Sequence, residues 1–332
     1  MNMKRYFYCM LLCLSVGCQK SALVRNTSNN QTILQYIAQA PQLTLLNQAI
    51  TRCHLDTVFA SGGPFSFFCP SDTAFLAAGL TADKIAAYDP DSLSQLLKYN
   101  MLTGKFSSAD LVGFLTEQAT SLDTAYKPFI IKNYFGLFIN GIQVTSQVEL
   151  GDGVLLNIGS VNFIPTETVQ QLLDSLPELS LFAAVSHMVP QFQALYNVWS
   201  PRGFGGTGGP GFTVMAPTNA AMIAYGFPTT DTILQMDPTT LFNDFQGSTI
   251  NGFKFTSAFL GGFTVGLNNN NPNNLSEFYP GLYFAIAEDG TTVLLGYPTS
   301  AVGGPSQVPP HIIRPNILGT NGVIQEVDQV LH

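Results

Sequence analysis

A cysteine, a serine and an aspartate lie within four residues of one another in the stretch FFCPSDTAF, at positions 67–75. The stretch follows an apolar run and precedes a helix-like segment, and strand-to-helix joints of this kind often hold the nucleophile of an enzyme. Cys69 or Ser71 would supply the nucleophile, and Asp72 would supply acid–base chemistry. Such a nucleophile also needs a base beside it, and no histidine lies near this stretch in the sequence.

The same stretch occurs a second time without its most reactive residues. Residues 64–80 align with residues 211–227 at a constant offset of 147 positions, and Ala216 then replaces the cysteine while Asn219 replaces the aspartate. An amide keeps the acceptor oxygen of a carboxylate but cannot transfer a proton. Both copies keep a proline that ends the strand and two side chains able to accept hydrogen bonds at a helix start. We therefore predict a structural joint, formed by Pro70, Ser71, Asp72, Pro217, Thr218 and Asn219.

The rest of the chain lacks the spacings that metals and nucleotides require. No Cys/His pattern of a zinc site and no Asp-x-Asp-x-Asp-Gly calcium loop occurs. The segment GTGGPG at 206–211 fits G-x-G-x-x-G, but the dinucleotide fingerprint needs a strand before it and a helix after it, whereas here a strand follows. We predict no catalytic residue, no metal and no cofactor, and so a protein that is not an enzyme.

Cys53 and Cys69 are the two cysteines that belong to the folded part of the chain. Two cysteines do not make the disulfide framework of a small secreted domain, which favours two buried free thiols. A disulfide between them in an oxidising compartment stays open at this point.

The N-terminal segment has the pattern of a targeting signal. Lys4 and Arg5 precede an apolar run of eleven residues, from position 6 to position 16, which is too short to span a bilayer. The run ends as LSVGC and resembles a bacterial lipoprotein signal, in which the cysteine is lipidated; ordinary secretion is the alternative. We predict a signal peptide at 1–17, lipidation of Cys18, and a polar tether at 18–30.

Composition and charge limit the partners. The chain is 46% hydrophobic and 10% charged, and its formal net charge is −8, which becomes −10 without Lys4 and Arg5. An acidic chain with no run of basic residues has no electrostatic footprint for nucleic acid. We predict no nucleic-acid partner, contact with the membrane through the lipid anchor alone, and a location in the cell envelope, at the outer membrane.

Four blocks of sequence recur in the same order, at a period of about 150 residues. These are 32–50 with 168–186, 64–80 with 211–227, 105–111 with 254–260, and 151–164 with 320–332. A period of this length indicates a duplicated domain rather than a solenoid of short repeats. We predict domains at 31–165 and 166–332, the second with a loop insertion at about 268–310.

Each unit has helical periodicity first and strand-like segments later, which indicates an α+β unit with a largely antiparallel sheet. In the insertion, asparagine, proline and glycine predict exposed loop around a hairpin of residues 283–287 and 292–296. This insertion is the part of the chain that we expect to be most specific to this protein.

Three segments resemble the fasciclin domain family: FTVMAPTNAAM, LLKYNMLTGKFSSADL and NGVIQEVDQVL. The resemblance implies two tandem domains, each a β-sandwich wedge with flanking helices, and a role in adhesion without catalysis. The family's Tyr-His pair falls on Tyr99 and Asn100, and on Ser248 and Thr249 in the second copy. We expect Tyr99 to be partly buried at the end of its helix, and a binding role for Tyr99 and Asn100 is the alternative. Because the histidine is absent, the integrin-type partner linked to that pair does not carry over.

These inferences lead to one functional prediction and one alternative. The first is a surface-anchored adhesion or binding lipoprotein that presents its loops to an unknown surface protein or glycan. The alternative is an accessory subunit of an outer-membrane complex for glycan capture.

Overall fold

A computed structural model describes residues 24–27, 30–111, 115–119, 121–123, 126–197, 211–259, 265–266, 283–286, 291–296 and 309–331. Its helices are α1 Ile33–Gln39, α2 Thr44–Arg52, α3 Asp56–Ser61, α4 Asp72–Ala77, α5 Ala82–Ala87, α6 Pro90–Tyr99, α7 Val169–Ser175, α8 Ser180–Met188, α9 Pro190–Tyr196, α10 Asn219–Tyr225, α11 Thr230–Leu234, α12 Pro238–Phe245 and α13 Thr256–Phe259. Its strands are β1 Val24–Thr27, β2 Phe65–Pro70, β3 Met101–Thr103, β4 Leu115–Gln118, β5 Phe129–Asn133, β6 Gly136–Ile139, β7 Ile142–Leu150, β8 Gly153–Ile158, β9 Phe212–Pro217, β10 Thr249–Asn251, β11 Val265–Gly266, β12 Tyr283–Ile286, β13 Val293–Gly296, β14 Ile312–Leu318 and β15 Gly322–Val327.

The first half of the chain forms one curled sheet with strand order β3-β2-β8-β7-β6-β5-β4. Strands β2 and β8 are parallel, and most of the other neighbours are antiparallel. The helices α1 to α6 lie before most of these strands in sequence and pack on the sheet through one apolar core, to which both β2 and β8 contribute. The predicted α+β class, with helices before strands, is confirmed.

The second half repeats the central strand order as β10-β9-β15-β14. The register repeats as well, because Phe65 lies opposite Gly153 in the first parallel pair and Phe212 lies opposite Gly322 in the second. Strands β11, β12 and β13 form a separate three-stranded sheet. The two halves therefore share one topology around the parallel pair.

The helix starts that match between the halves have the same side-chain caps. Thr32 caps α1 and Thr168 caps α7, and each is completed by a glutamine three residues later, Gln35 and Gln171, as a reciprocal capping box. Such caps satisfy backbone N–H groups that a helix leaves without partners. The repeated block at 32–50 and 168–186 thus encodes the same local structure twice.

An aromatic contact joins the halves. Phe129 of β5 lies 5.2 Å from Phe253 and 5.6 Å from Phe255, measured between ring centroids. Ile131, Phe138 and Val323 complete this buried cluster, which is separate from the two main cores. The outer strands of the first sheet therefore pack on the second half of the chain.

Part of the predicted tether belongs to the fold. Residues 24–27 form β1, which pairs in parallel with β7, Val24 lying opposite Ser146. The prediction of a free tether over 18–30 is wrong for these residues, because β7 offers backbone groups with which an extended segment can pair. Cys18 and the signal segment lie outside the described residues.

The hairpin predicted in the insertion is confirmed. β12 and β13 are antiparallel, with Tyr283 opposite Gly296, and Thr292 forms a bridge with His311. The remainder of 268–310, apart from residues 291, 309 and 310, lies outside the described residues. Within the described part of the chain, no helix is long and apolar enough to cross a membrane.

Candidate functional site

The strand-to-helix joint is built the same way in both halves. Ser71 occupies the N-cap position of α4, where its hydroxyl accepts a hydrogen bond from the Ala74 N–H at 3.3 Å. Thr218 caps α10 and accepts from the Ala221 N–H at 3.1 Å. Pro70 and Pro217 end the preceding strands. Both hydroxyl groups thus serve as helix caps.

Asp72 has a different role from the one expected. Its carboxylate does not cap its own helix but accepts hydrogen bonds at the start of α2, from the Thr44 N–H at 3.1 Å and the Leu45 N–H at 2.8 Å. The Thr44 hydroxyl donates to the same carboxylate at 2.6 Å. The joint therefore fastens two helices together, with Ser71 capping one helix and Asp72 the other.

Asn219 makes the corresponding connection in the second half. Its Oδ1 accepts from the Leu181 N–H at 2.9 Å, and its Nδ2 donates to the Pro177 carbonyl at 2.8 Å and to the Ser180 hydroxyl at 3.0 Å. Asp72 faces three donors, whereas Asn219 faces a donor and a carbonyl acceptor. The change from carboxylate to amide follows this difference in partners.

Cys69 is a buried residue of the first core. Its thiol donates to the Asn157 Oδ1 at 3.1 Å, and burial raises the pKa of the thiol to about 12. Because the thiolate is the nucleophilic form, a thiol with this pKa is unreactive at neutral pH. Cys53 is partly buried, and both cysteines are free, so the disulfide left open above is not formed.

Tyr99 and Asn100 lie inside the first half and are not exposed to a partner. Tyr99 is 0% and Asn100 4% exposed. The Asn100 amide donates to the Leu96 carbonyl at 2.9 Å and to the Asn162 carbonyl at 3.0 Å. The burial expected for Tyr99 is therefore observed, and the alternative of a surface binding pair is contradicted, because the polar atoms of both residues are directed to neighbours within the fold.

Two more asparagines complete a buried amide cluster, which we define as Tyr99, Asn100, Asn140 and Asn162. Asn140 donates to the Tyr99 hydroxyl at 2.7 Å and to the Asn162 Oδ1 at 2.9 Å, and Asn162 donates to the Asn100 Oδ1 at 3.0 Å. Asn140 lies in the tight turn between β6 and β7. Because a buried amide needs partners for both its ends, the cluster fixes the turn and residue 162 against α6.

The strand registers correct the equivalents of the Tyr-His position in the second half. Met101 pairs with Phe67, and Thr249 pairs with Val214, the residue equivalent to Phe67. The places of Tyr99 and Asn100 are therefore taken by Gly247 and Ser248, one residue earlier than predicted. The amide cluster has no counterpart there, because neither residue carries an amide side chain.

A cleft of about 590 Å³ lies where the two halves meet. One wall is the connecting segment 160–167, a second is the turn at 140–143, and a third is β14 at Pro315, Asn316 and Leu318, with Leu172 also contributing. Ligand pockets commonly measure roughly 300–1,000 Å³. The amide cluster holds two of the lining residues in place, Asn140 and Asn162.

Among the described residues, the lining of the cleft is apolar and neutral-polar, with Glu167 as its single charged residue. Phe163 is 44% exposed at this site. Among the described residues, no group of three His, Cys, Asp or Glu side chains could hold a metal ion. The surroundings suit a ligand that combines hydrogen-bonding groups with apolar ones.

Comparison with known proteins places this chain in a family. The sequence model of the fasciclin domain matches residues 41–161. The uncharacterized protein sll1735 of Synechocystis sp. is 32% identical over 130 residues, which cover 39% of this chain and 95% of that protein. The chain belongs to the fasciclin domain family. The matched segment of the fasciclin domain contains the first joint and the whole amide cluster except Asn162.

Two further relatives of this fasciclin-domain protein are more distant. The protein sll1483 of the same Synechocystis strain is 25% identical over 151 residues, covering 44% of this chain and 82% of that protein. A solved pair of such domains from the insect cell adhesion molecule Fasciclin I aligns over 87% of this chain and 97% of its own, at 13% identity and a TM-score of 0.36.

Proposed function

We propose that this protein is a non-enzymatic adhesion or binding lipoprotein, composed of tandem fasciclin-like domains at 31–165 and 166–332. Membership of the fasciclin domain family carries the proposal, because domains of this family are typically adhesion modules. The joint that suggested chemistry supports it too, since Ser71 and Asp72 both bind helix N–H groups and Cys69 is buried with a raised pKa.

The proposed anchor is a lipid on Cys18, which would hold the protein at the cell envelope, at the outer membrane. Stable attachment by acyl chains requires more than one chain or a second membrane signal. Metabolic labelling with palmitate tests the anchor. We expect the label on the native chain and none on Cys18→Ala; an unlabelled native chain, or a labelled variant, would refute the anchor and leave the adhesion role standing.

The proposed partner is a protein or glycan on a cell surface. Beads coated with residues 19–332 should retain envelope components or bind cells, whereas beads coated with a chain in which 268–310 is replaced by a Gly-Ser linker should lose the contacts that the insertion makes. The alternative, an accessory role in glycan capture, predicts binding to a glycan array and co-purification with other outer-membrane proteins. Failure of cell binding, envelope retention and glycan binding together would sink the proposed function.

A further inference from the structure

The two halves differ at the outer edge of the strand that lies next to the parallel pair in each sheet. In the first half this strand is β7, and β1 lies beside it over residues 146–149. In the second half the equivalent strand is β14. Val148 pairs with Leu155 in β8 and Ile317 pairs with Ile324 in β15, and these partners are equivalent in the repeat. The outer edge at Ile317 and Leu318 therefore corresponds to the place beside Val148 and Glu149.

The connecting segment begins to follow this edge in the same way as the N-terminal segment does, and then leaves it. The Gly151 N–H donates to the Gln31 carbonyl at 3.0 Å, and the Thr320 N–H donates to the Glu167 carbonyl at 2.8 Å. Upstream of Gln31 the chain returns to β7 as β1. Upstream of Glu167 the chain runs instead to Asn162, which the amide cluster binds to the first half.

The space between the connecting segment and β14 is the cleft. After β14 ends, the Gly319 N–H donates inward to the Gly322 carbonyl and the Thr320 N–H donates outward to the Glu167 carbonyl. Backbone groups alternate in direction along a strand, so the N–H and carbonyl of Leu318 also point outward, into the cleft. Within the described residues β14 is the edge strand of its sheet, so no further strand pairs with its outer side. Upstream, β14 has a register shift at Pro315 and Asn316, which limits the available edge to Ile317–Gly319.

We propose that the cleft receives a short extended peptide segment of a partner protein, which adds to β14 in the place that β1 takes on β7. This inference rests on the proposed binding function and names the chemistry of the partner. Main-chain hydrogen bonds to an open strand edge give such peptides their affinity, and pockets for alternate side chains give their specificity. Because the described lining of the cleft is apolar and neutral-polar and its charged residue is Glu167, we expect a peptide with both apolar and hydrogen-bonding side chains and no acidic residues.

The sequence of β1 and its neighbours, residues 22–29 (ALVRNTSN), meets this description and is the probe. Binding of the blocked, fluorescent peptide to residues 19–332 is measured by polarisation. Two further peptides carry N-methyl groups on alternate amides. One is methylated on the amides of the odd-numbered residues, and the other on the amides of the even-numbered residues. We expect the peptide whose methyl groups face β14 to bind at least about tenfold more weakly, a ratio that corresponds to about 1.4 kcal/mol, and its counterpart to bind like the unmodified probe.

Leu318→Pro tests the protein side, because it removes an outward N–H and no ladder bond between β14 and β15. We expect at least about a tenfold loss of affinity, whereas Ile313→Ala, an exposed control on β14 outside the cleft, should bind normally. If Leu318→Pro does not fold, the two methylated peptides decide. Three results would each overturn the inference: the probe does not bind, both methylated peptides bind equally, or folded Leu318→Pro binds the probe fully. The third result is expected if the probe replaces β1 on β7.

A cleft that binds oligosaccharide and not the probe would overturn it as well. The bead experiment of the proposed function separates the two proposals: if folded Leu318→Pro beads retain cell-surface components as well as native beads do, the adhesion role stands without the peptide site.

Discussion

Substituting Asp72 by asparagine tests whether the Asp72 carboxylate fastens α2 to α4. The carboxylate accepts from three donors, the Thr44 N–H, the Thr44 hydroxyl and the Leu45 N–H. An asparagine has one acceptor oxygen, and its NH2 group would face at least one of these donors. Hydrogen bonds to a charged group contribute about 1.5–3 kcal/mol each, and a negative charge at a helix N-terminus about 0.3–1 kcal/mol. Since the side chain is only partly buried, we expect a loss of about 2 kcal/mol.

Thermal unfolding measures this loss. For a domain of this size, 1 kcal/mol corresponds to about 2–4 °C, so the Tm of the unfolding step of the first half should fall by about 4–8 °C. Asp83→Asn is the matched control, because Asp83 is an exposed acid in the first turn of α5 with the same change of charge. The complementary variant, Asn219→Asp, places a carboxylate against the Pro177 carbonyl and should lower the stability of the second half.

An Asp72→Asn variant with the Tm of the native protein, or with a fall in Tm no larger than that of Asp83→Asn, would contradict this role of the carboxylate. An Asn219→Asp variant of unchanged stability would contradict it too, because the difference between the copies would then not follow from their hydrogen-bonding partners.

Three further predictions concern the first half. Asn162→Leu leaves the Asn100 Oδ1 without the Asn162 donor and the Asn140 Nδ2 with the Tyr99 hydroxyl as its remaining partner. It should cost about 2–4 kcal/mol in chemical denaturation, more than a surface Asn substitution. Iodoacetamide at pH 8 should modify Cys53 before Cys69 in the native protein, because Cys69 is fully buried and its thiol has a pKa of about 12; equal rates followed by mass spectrometry would contradict this. The pKa of Asp89 is lowered because its carboxylate accepts from the Ser92 N–H. Its contribution is therefore present above the unfolded pKa of about 3.9 and is lost as pH falls through the folded value, so Asp89→Asn should flatten the acid side of the stability curve.

The joint could be predicted from sequence because its information is local and is present twice. Ser71 and Thr218 are followed three residues later by the N–H groups that they cap, so the pattern contains both partners. The role of Asp72 could not be read in this way. Its partners at Thr44 and Leu45 lie 28 and 27 positions earlier in the chain, and only the packing of α2 against α4 brings them together.

The amide cluster cannot be predicted from the sequence either, because its members are also far apart in the chain. Asn100, Asn140 and Asn162 come from a helix end, a hairpin turn and the connecting segment, and each residue type is common in exposed turns. Burial alone distinguishes these asparagines from solvated ones, and burial depends on tertiary packing. The resemblance to a family drew attention to Tyr99 and Asn100, but a motif does not say whether its residues face outward.

The cleft exists because the connecting segment 160–167 can either pair with β14 or stay in contact with the first half. Before α1, residues 24–27 pair with β7. Residues before α7 include Asn162, and pairing with β14 would pull this residue out of the amide cluster, which would leave the Asn100 Oδ1 without its donor. A buried amide without partners costs about 1–3 kcal/mol, comparable to what one or two edge hydrogen bonds return. The connecting segment therefore stays with the first half, and the edge of β14 at Leu318 stays open beside it.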